Sequence, residues 1–188
     1  VYEALNAALF PHHPYGTQTI LGTQDHLKNP SIKAIKQYYR TWYVPNNMAV
    51  CVSGDFDPDV MIATIDKYFG NFKPNPNLPK LPVTEEKPIN APIIKEVLGQ
   101  DAEMVSIGWR LPWGRSNHEM QKLILMGRIL YNDKTGLLDV NLNQKQRIRN
   151  AYAGASGMAD YAMFTMQARP KEGQSLDDVR NLLLGEVE

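Results

Sequence analysis

The spacing of prolines is the feature that most restricts what this chain can fold into. Six prolines lie between Lys73 and Pro92, at positions 74, 76, 79, 82, 88 and 92. Proline fixes φ and has no backbone N–H, so this segment cannot form a regular helix and is expected to be extended. We interpret residues 73–92 as a linker that joins two folded pieces, residues 1–72 and residues 93–188.

Three helices are predicted in the first piece. The apolar positions of residues 2–10 have helical spacing, and Ser31 is placed to cap a second helix. Asp57 is placed to cap a third, with Pro58 at its first position, and this helix is expected to end at Gly70 in a left-handed conformation. One face of the second helix is apolar and is expected to pack on a sheet. That face consists of Ile32, Ile35, Tyr38, Tyr39 and Trp42.

Only one strand is predicted in the first piece. Met48–Val52 is an uncharged, β-prone run that is typical of a strand covered on both faces, so Cys51 is expected to be buried and unreactive. Residues 17–29 show no sustained period and are expected to form an ordered loop. Because one strand cannot form a sheet, we expect it to pair with sequence before Val1 or with another chain.

The second piece is predicted to combine strands with helices. The predicted elements are strands at 93–98, 102–111, 150–156 and 162–168, a long helix capped by Ser116, a shorter helix from about Leu137 and a last helix capped by Ser175. The first two strands are expected to pair as a hairpin around residues 99–101. This order of elements predicts an α+β fold in two pieces.

Charge and composition exclude several functions. Twenty basic residues balance 20 acidic ones, so no net field favours binding to nucleic acid or to an anionic membrane. No apolar stretch approaches the roughly 18 to 20 residues that a membrane span requires. Val1 and Glu188 both fall within helical patterns, so we expect the sequence to be an internal fragment that is cut at both ends.

The four histidines are the obvious metal candidates, but their spacing does not predict a zinc site. His12 and His13 are adjacent, so in a helix or a strand their side chains would point to different sides, and no third ligand follows at a suitable distance. His26 and His118 stand alone near predicted helix starts, where a surface or capping role is expected.

Other catalytic signatures fail as well. His118 begins a string that resembles His-Glu-x-x-His, but Lys122 stands where the second histidine is required. Ser156 lacks the Gly-x-Ser-x-Gly elbow of a serine nucleophile, and no glycine-rich phosphate loop occurs. The carboxylates of Glu85 and Glu86 lie in the linker and are predicted to be solvated.

Five short segments follow one another in a specific order: His13-Pro14-Tyr15-Gly16, Ile20–Thr23, Tyr38–Met48, Val52–Asp57 and Tyr68–Gly70. Together they resemble the pitrilysin/insulinase family of inverted-motif zinc peptidases, which includes the mitochondrial processing peptidases. The sequence from Val105 onward is similar to the opening of that family's second domain. The resemblance implies parts of two repeated α/β domains of the pitrilysin-type (metallopeptidase/LuxS-like) fold.

The residues that match the family are structural in this resemblance, serving backbone shape, turns and capping. They are His13, Pro14, Tyr15, Gly16, Gly22, Tyr43, Pro45, Asn46, Asn47, Gly54, Asp55 and Gly70. The family holds zinc through a His-x-x-Glu-His motif and a further glutamate, and the resemblance places all of these before Val1. It therefore implies no catalytic residue, metal ligand or cofactor in this chain, with zinc in the parent protein.

Some relatives use an Arg and a Tyr, seven residues apart, to bind the substrate oxyanion. Aligning Tyr152 with that tyrosine puts Lys145 in the place of the arginine, so this departure argues against assigning the role here.

By resemblance, the parent protein is a zinc metalloendopeptidase that encloses unfolded peptides in a clamshell chamber, and this chain is a non-catalytic part of the wall. The implied partners are the missing catalytic domain, the second half of the parent protein and unfolded peptides. The alternative is a fragment of an inactive family member that acts as a structural or partner subunit. The isolated fragment is expected to self-associate through an exposed sheet edge, and the expected compartment is the bacterial periplasm.

Overall fold

Two units with different secondary structure make up the chain, whose computed structural model describes residues 1–188. We call residues 1–19 with 83–188 the sheet unit, and residues 20–82 the helical unit. The helices are α1 (Tyr2–Leu9), α2 (Pro14–Thr17), α3 (Gln24–Lys28), α4 (Ile32–Trp42), α5 (Pro58–Phe69), α6 (Glu119–Leu130) and α7 (Leu176–Leu184), and the strands are β1 (Val105–Leu111), β2 (Asn150–Gly157) and β3 (Ala162–Arg169). These units are defined by compactness and do not test the boundaries predicted at 72/73 and 92/93, which stay a prediction.

The sheet unit is built on three antiparallel strands in the order β1-β3-β2. The predicted strands β2 and β3 form a hairpin, and β1 pairs with β3 so that Val105 lies opposite Ala168. The predicted hairpin between residues 93–98 and β1 is wrong. Leu98 is fully exposed and residues 93–98 form no strand, while β1 pairs with β3 instead.

One face of this sheet carries the main core. Alternate residues of β3, such as Phe164 and Met166, point into it, and α6 covers it with Met120, Leu123 and Leu130. Asp139–Asn143 forms a short π-helix that contributes Leu142, where a shorter helix was predicted. The spacing of Met120, Leu123, Ile124, Gly127 and Leu130 predicts an apolar stripe on α6, and all of these residues are buried except Ile124, which is 39% exposed. Ser116 is not the cap, since the N-cap position is His118.

A smaller cluster occupies the opposite face of β3. It is formed by Leu9, Phe10, Tyr161 and Met163. Met163 and Phe164 are consecutive and therefore point to opposite faces of the strand. The short segment after α1 is thus packed on the sheet.

The helical unit contains α3, α4 and α5 and a 3-10 turn at Pro45–Asn47. Ser31 caps α4 and Asp57 caps α5 with Pro58 at N1, as predicted. Residues 17–29 were predicted as a loop, but Thr23 accepts from the His26 backbone N–H and begins α3. A Thr-x-x-His capping pair is a weaker signal than the Ser or Thr with Glu that normally marks a helix start.

The predicted strand at Met48–Val52 is wrong in this structure. These residues have no strand partner, and Cys51 is exposed where it was predicted to be buried. The predicted apolar face of α4 is also exposed, with Tyr38 at 61%. Both predictions needed a neighbouring sheet, and the helical unit contains none. None of the helices has the length and apolarity that a membrane crossing requires.

Candidate functional site

The Glu86 carboxylate lies at the centre of a polar cluster in the sheet unit. Its side chain is 1% exposed. Oε1 accepts the backbone N–H groups of His12 and His13, each at 2.7 Å. Oε2 lies 3.1 Å from Nδ1 of His12 and 3.9 Å from Nη1 of Arg110. Two positively charged or donating groups and two backbone amides therefore converge on one buried carboxylate.

These contacts decide the ionisation of Glu86. Burial opposes the charged form and alone would raise the pKa of the carboxyl group. The hydrogen bonds from the backbone of His12, the ring of His12 and the backbone of His13 act in the other direction and outweigh it, so the pKa of Glu86 lies below its ordinary value of 4.5. Glu86 is consequently a carboxylate at neutral pH.

Arg110 joins this cluster to the aromatic side of the sheet. Its side chain is 7% exposed and donates hydrogen bonds to the carbonyl groups of Leu9 and Lys87. The guanidinium carbon lies 5.8 Å from the ring centroids of both Phe10 and Tyr161. A buried arginine is thus satisfied by two carbonyl oxygens, two aromatic rings and one carboxylate.

His13 is buried and uses both ring nitrogens within the protein. Nδ1 accepts the backbone N–H of Tyr15 at 3.2 Å, which caps α2, and Nε2 lies 3.3 Å from Oδ2 of Asp160. An acceptor at Nδ1 and a carboxylate beside Nε2 assign the proton to Nε2. The His13-Pro14-Tyr15-Gly16 signature is therefore a capped helical turn.

Packing explains the remaining residues of this signature. Pro14 occupies the first position of α2, where its missing N–H is not needed. The hydroxyl of Tyr15 accepts the backbone N–H of Asp160 at 3.2 Å. A Cβ on Gly16 would lie 2.3 Å from the carbonyl oxygen of Phe10, so only glycine fits there.

The signature residues of the helical unit form a separate group. Asn47 Nδ2 donates to the carbonyl of Trp42 at 2.9 Å and so satisfies the end of α4. Asn46 and Asn75 exchange two hydrogen bonds of 2.8 and 2.9 Å, which attach the proline-rich segment to the Pro45–Asn47 turn. Tyr43 stacks on Tyr39 with ring centroids 4.8 Å apart. These residues belong to the helical unit, whereas the Glu86 cluster lies within the sheet unit.

The glycines of the signature differ from one another. Gly22 and Gly54 have φ of 70° and 156°, which a side chain would strain. Gly70 has φ of −60°, so the predicted left-handed cap is wrong; instead, a Cβ there would meet the carbonyl of Asp66 at 2.6 Å. Asp57 caps α5, and the capping or turn role of Asp55 stays a prediction.

Glu86, Arg110, Asp160 and Tyr161 were missed by sequence reasoning. Glu86 was predicted to be solvated with Glu85, yet only Glu85 is exposed. The available signal was Arg110, a cation within a predicted strand that requires an anionic partner if it is covered. The sequence position of that partner could not be deduced, because it lies 24 residues earlier in an irregular segment.

The residues of this cluster do not fit a zinc ion. A histidine that binds zinc must offer a free imidazole lone pair, and the acceptor nitrogen of His13 is occupied by the Tyr15 N–H. No group of three or more His, Cys, Asp or Glu side chains is placed to hold a metal. His26 serves the cap of α3, and His118 lies 2.8 Å from Glu119. The oxyanion pair considered above is also not assembled, since Lys145 Nζ donates to Asn141 and Tyr152 to Gln167.

Comparison with known proteins identifies the family. The family model described as the peptidase M16 inactive domain matches residues 31–188. This chain belongs to the peptidase M16 inactive-domain family. Membership confirms the resemblance to the pitrilysin/insulinase zinc peptidases, which rested on short segments of the sequence.

Relatives of this M16 domain include named zinc proteases. The chain is 27% identical over 168 residues to the zinc protease PqqE of Helicobacter pylori, covering 82% of this chain and 35% of the relative. It is 35% identical over 101 residues to the protein YhjJ of Escherichia coli, covering 50% of this chain and 20% of the relative. The chain thus spans about a third of the length of PqqE and about a fifth of the length of YhjJ.

A solved structure supports the fold. A protease from Helicobacter pylori superimposes with a TM-score of 0.66 at 23% identity, over 92% of this chain and 42% of that one. At this identity the similarity concerns the fold alone, and it confirms the predicted α+β, pitrilysin-type fold class.

Proposed function

We propose that this chain is a non-catalytic portion of a zinc-dependent metalloendopeptidase and forms part of a chamber wall around peptide substrates. The family description as an inactive domain and the longer zinc protease among its relatives support this proposal. In this account zinc and the catalytic residues are supplied by sequence outside these 188 residues. The chain's own residues shape the chamber and break no bonds.

The exposed face of α4 is the structural observation that supports the proposal best. Ile32, Ile35 and Tyr39 are 59%, 54% and 56% exposed, although they form one apolar stripe on a capped helix. Such a stripe is stable in water only when another element covers it. We assign that cover to a sheet of the catalytic domain, which would also give Met48–Val52 a strand partner.

Zinc content and hydrolysis test the proposal together. The 188-residue chain and the complete product of its gene are purified, and zinc and chelator-sensitive cleavage of an unfolded fluorogenic peptide are measured for both. The complete product should hold one zinc and cleave the peptide, while the chain alone should do neither. Stoichiometric zinc with cleavage by the chain alone would overturn the proposal.

A complete product without zinc or activity would favour the second reading, a structural or partner subunit of an inactive family member.

Two further parts of the proposal, self-association and export, have tests of their own. Because β1 and β2 each leave one edge of the sheet unpaired, the isolated chain should sediment as a dimer or larger species. Export to the bacterial periplasm would be seen by cell fractionation. A monomeric chain would contradict the proposed self-association, and a cytoplasmic product would contradict the proposed export.

A further inference from the structure

The helical unit is an insertion between two segments of the sheet unit. The chain leaves the sheet unit after Thr19 and returns to it at Val83. The leaving side carries His12 and His13, and the returning side carries Glu86. One carboxylate therefore bonds the two segments through which the chain passes out of the sheet unit and back, across 73 residues of sequence.

The returning segment is held on both sides of Glu86. Tyr161 accepts the Glu86 backbone N–H at 2.8 Å and lies 3.2 Å from the carbonyl of Thr84, to which it donates. Arg110 donates to the carbonyl of Lys87. Tyr161 and Arg110 belong to the sheet side of the unit, so residues 84–87 are fixed there independently of the Glu86 carboxylate.

In the leaving segment, two backbone N–H groups depend on that carboxylate, while the neighbouring side chains of Phe10, His13 and Tyr15 pack on the sheet unit independently of it. The backbone N–H groups of His12 and His13 both donate hydrogen bonds to Oε1 of Glu86, each at 2.7 Å. Nδ1 of His12 approaches Oε2, and a neutral or a charged imidazole can donate from that nitrogen. Short bonds of this kind are characteristic of an ionised acceptor.

Charged and titratable groups face Glu86 from each element that packs against it. His12 and His13 come from the leaving segment, Arg110 from β1, and Asp160 and Tyr161 from the residues before β3. Asp160 is engaged with His13 at 3.3 Å, so Arg110 and His12 are the cations that face the Glu86 carboxylate.

We propose that Glu86 is an acid-released clasp, whose ionised carboxylate holds the segment that leads into residues 20–82 against the segment that leads out of them. Protonation removes the negative charge, so the charge-assisted hydrogen bonds from the His12 and His13 amides become weaker bonds to a neutral carboxyl group and open more often. The hydrogen bonds that lower the pKa of Glu86 place this release in acid, below the ordinary value of 4.5. Tyr161 and Arg110 retain residues 84–87 on the sheet when the clasp opens.

Amide exchange of the 188-residue chain tests the clasp, with Glu86→Gln as the variant and Glu85→Gln as the matched control. In the parent sequence and in the control, the His12 and His13 amides should be protected at about pH 7 and exchange about tenfold faster or more at the lowest pH at which the chain stays folded, after correction for intrinsic rates. Glu86→Gln should show the faster exchange already at about pH 7, with no further change in acid. The amide of Met166 on β3 reports whether each variant is folded.

Tyr161→Phe separates the two halves of the clasp. This variant should release the Glu86 amide and leave the His12 and His13 amides protected. The proposal is overturned if both amides exchange no faster in Glu86→Gln than in the control at about pH 7, or if the parent sequence keeps them protected at every acid pH at which Met166 remains protected. Should Glu86→Gln fail to fold, the pH dependence of the parent sequence decides alone.

Discussion

The sheet unit and the helical unit begin from the same local signals but end with different interiors. Both contain helices with side-chain caps, at Ser175 in one and at Ser31 and Asp57 in the other. The sheet unit buries an extended core, whereas Val44 is the one buried hydrophobic residue of the helical unit. Caps and periodicity are therefore sufficient to place a helix, but a core forms only where strands supply a surface to cover.

A pair of asparagines shows the same contrast at the level of hydrogen bonds. Asn143 exchanges two bonds with the backbone of Ala151, at 2.7 and 2.9 Å, and Ala151 is 2% exposed. Asn46 exchanges two bonds of the same kind with Asn75, but Asn46 is exposed and Asn75 is half-buried. Water can therefore replace the second pair of bonds more readily than the first.

The largest expected effect separates the two interiors directly. Leu142→Ala removes a side chain that is 0% exposed and should lower the free energy of unfolding by about 2–5 kcal/mol. Leu27→Ala in the helical unit changes a side chain that is 73% exposed and should cost less than about 0.5 kcal/mol. Urea unfolding followed by circular dichroism measures the free energy of unfolding of both variants. Equal losses of stability would contradict the difference between the two interiors.

A glycine tests how tightly the first segment is packed on the sheet unit. Gly16→Ala places a methyl group 2.3 Å from the carbonyl of Phe10 and should cost about 1–3 kcal/mol, because backbone must move. Gly99→Ala is the control, since no heavy atom lies within 4 Å of its added carbon. If both variants unfold at the same urea concentration, the packing of α2 is looser than described.

The two asparagine pairs give the next smaller difference. Asn143→Ala leaves a buried N–H and a buried C=O without partners and should cost about 1–3 kcal/mol. Asn46→Ala exposes equivalent groups to water and should cost less than about 1 kcal/mol. The comparison uses the same unfolding measurement, and a costlier Asn46→Ala would show that the helical unit depends on this contact more than on burial.

The smallest effect concerns one loop of the sheet unit. The hydrogen bond that Tyr131 donates to Asp133 favours the neutral phenol and, with partial burial, raises the pKa of Tyr131 to about 12. This stabilisation is complete below the ordinary pKa of 10 and is lost as the pH rises through about 12. Asp133→Asn keeps a residue that tolerates the positive φ of 66° and should lower the pKa of Tyr131. NMR of ring-labelled tyrosine follows the titration, and an unchanged midpoint would contradict the assignment.

Local features of the fold were predictable and distant pairings were not. The caps at Ser31, Asp57 and Ser175 and the strands β2 and β3 depend on residues close in sequence, and all were predicted. β1 was given the wrong partner, since its true neighbour β3 lies more than 50 residues away. Met48–Val52 has the composition of a strand, but composition cannot supply the neighbouring strand that its backbone requires.

The candidate site divides in the same way. The resemblance to the family pointed to the His13-Pro14-Tyr15-Gly16 turn. Its cap and its requirement for glycine are explained by contacts with residues close in sequence. Glu86 was predicted to be solvated because neighbouring residues give no sign of burial. Its environment is made by His12 and Arg110, which are 74 and 24 residues away. Only the folded chain shows that these groups meet.

Amide hydrogen exchange of the isolated 188-residue chain tests most directly whether the sheet unit alone carries a core of its own. Peptides that cover β3 should exchange at the rate of global unfolding, while peptides that cover α4 and α5 should exchange about a hundredfold faster or more, through local opening. Equal protection of α4 and β3 would contradict the account, because it would show that the helical unit is stable without the sheet we assign to the rest of the parent protein.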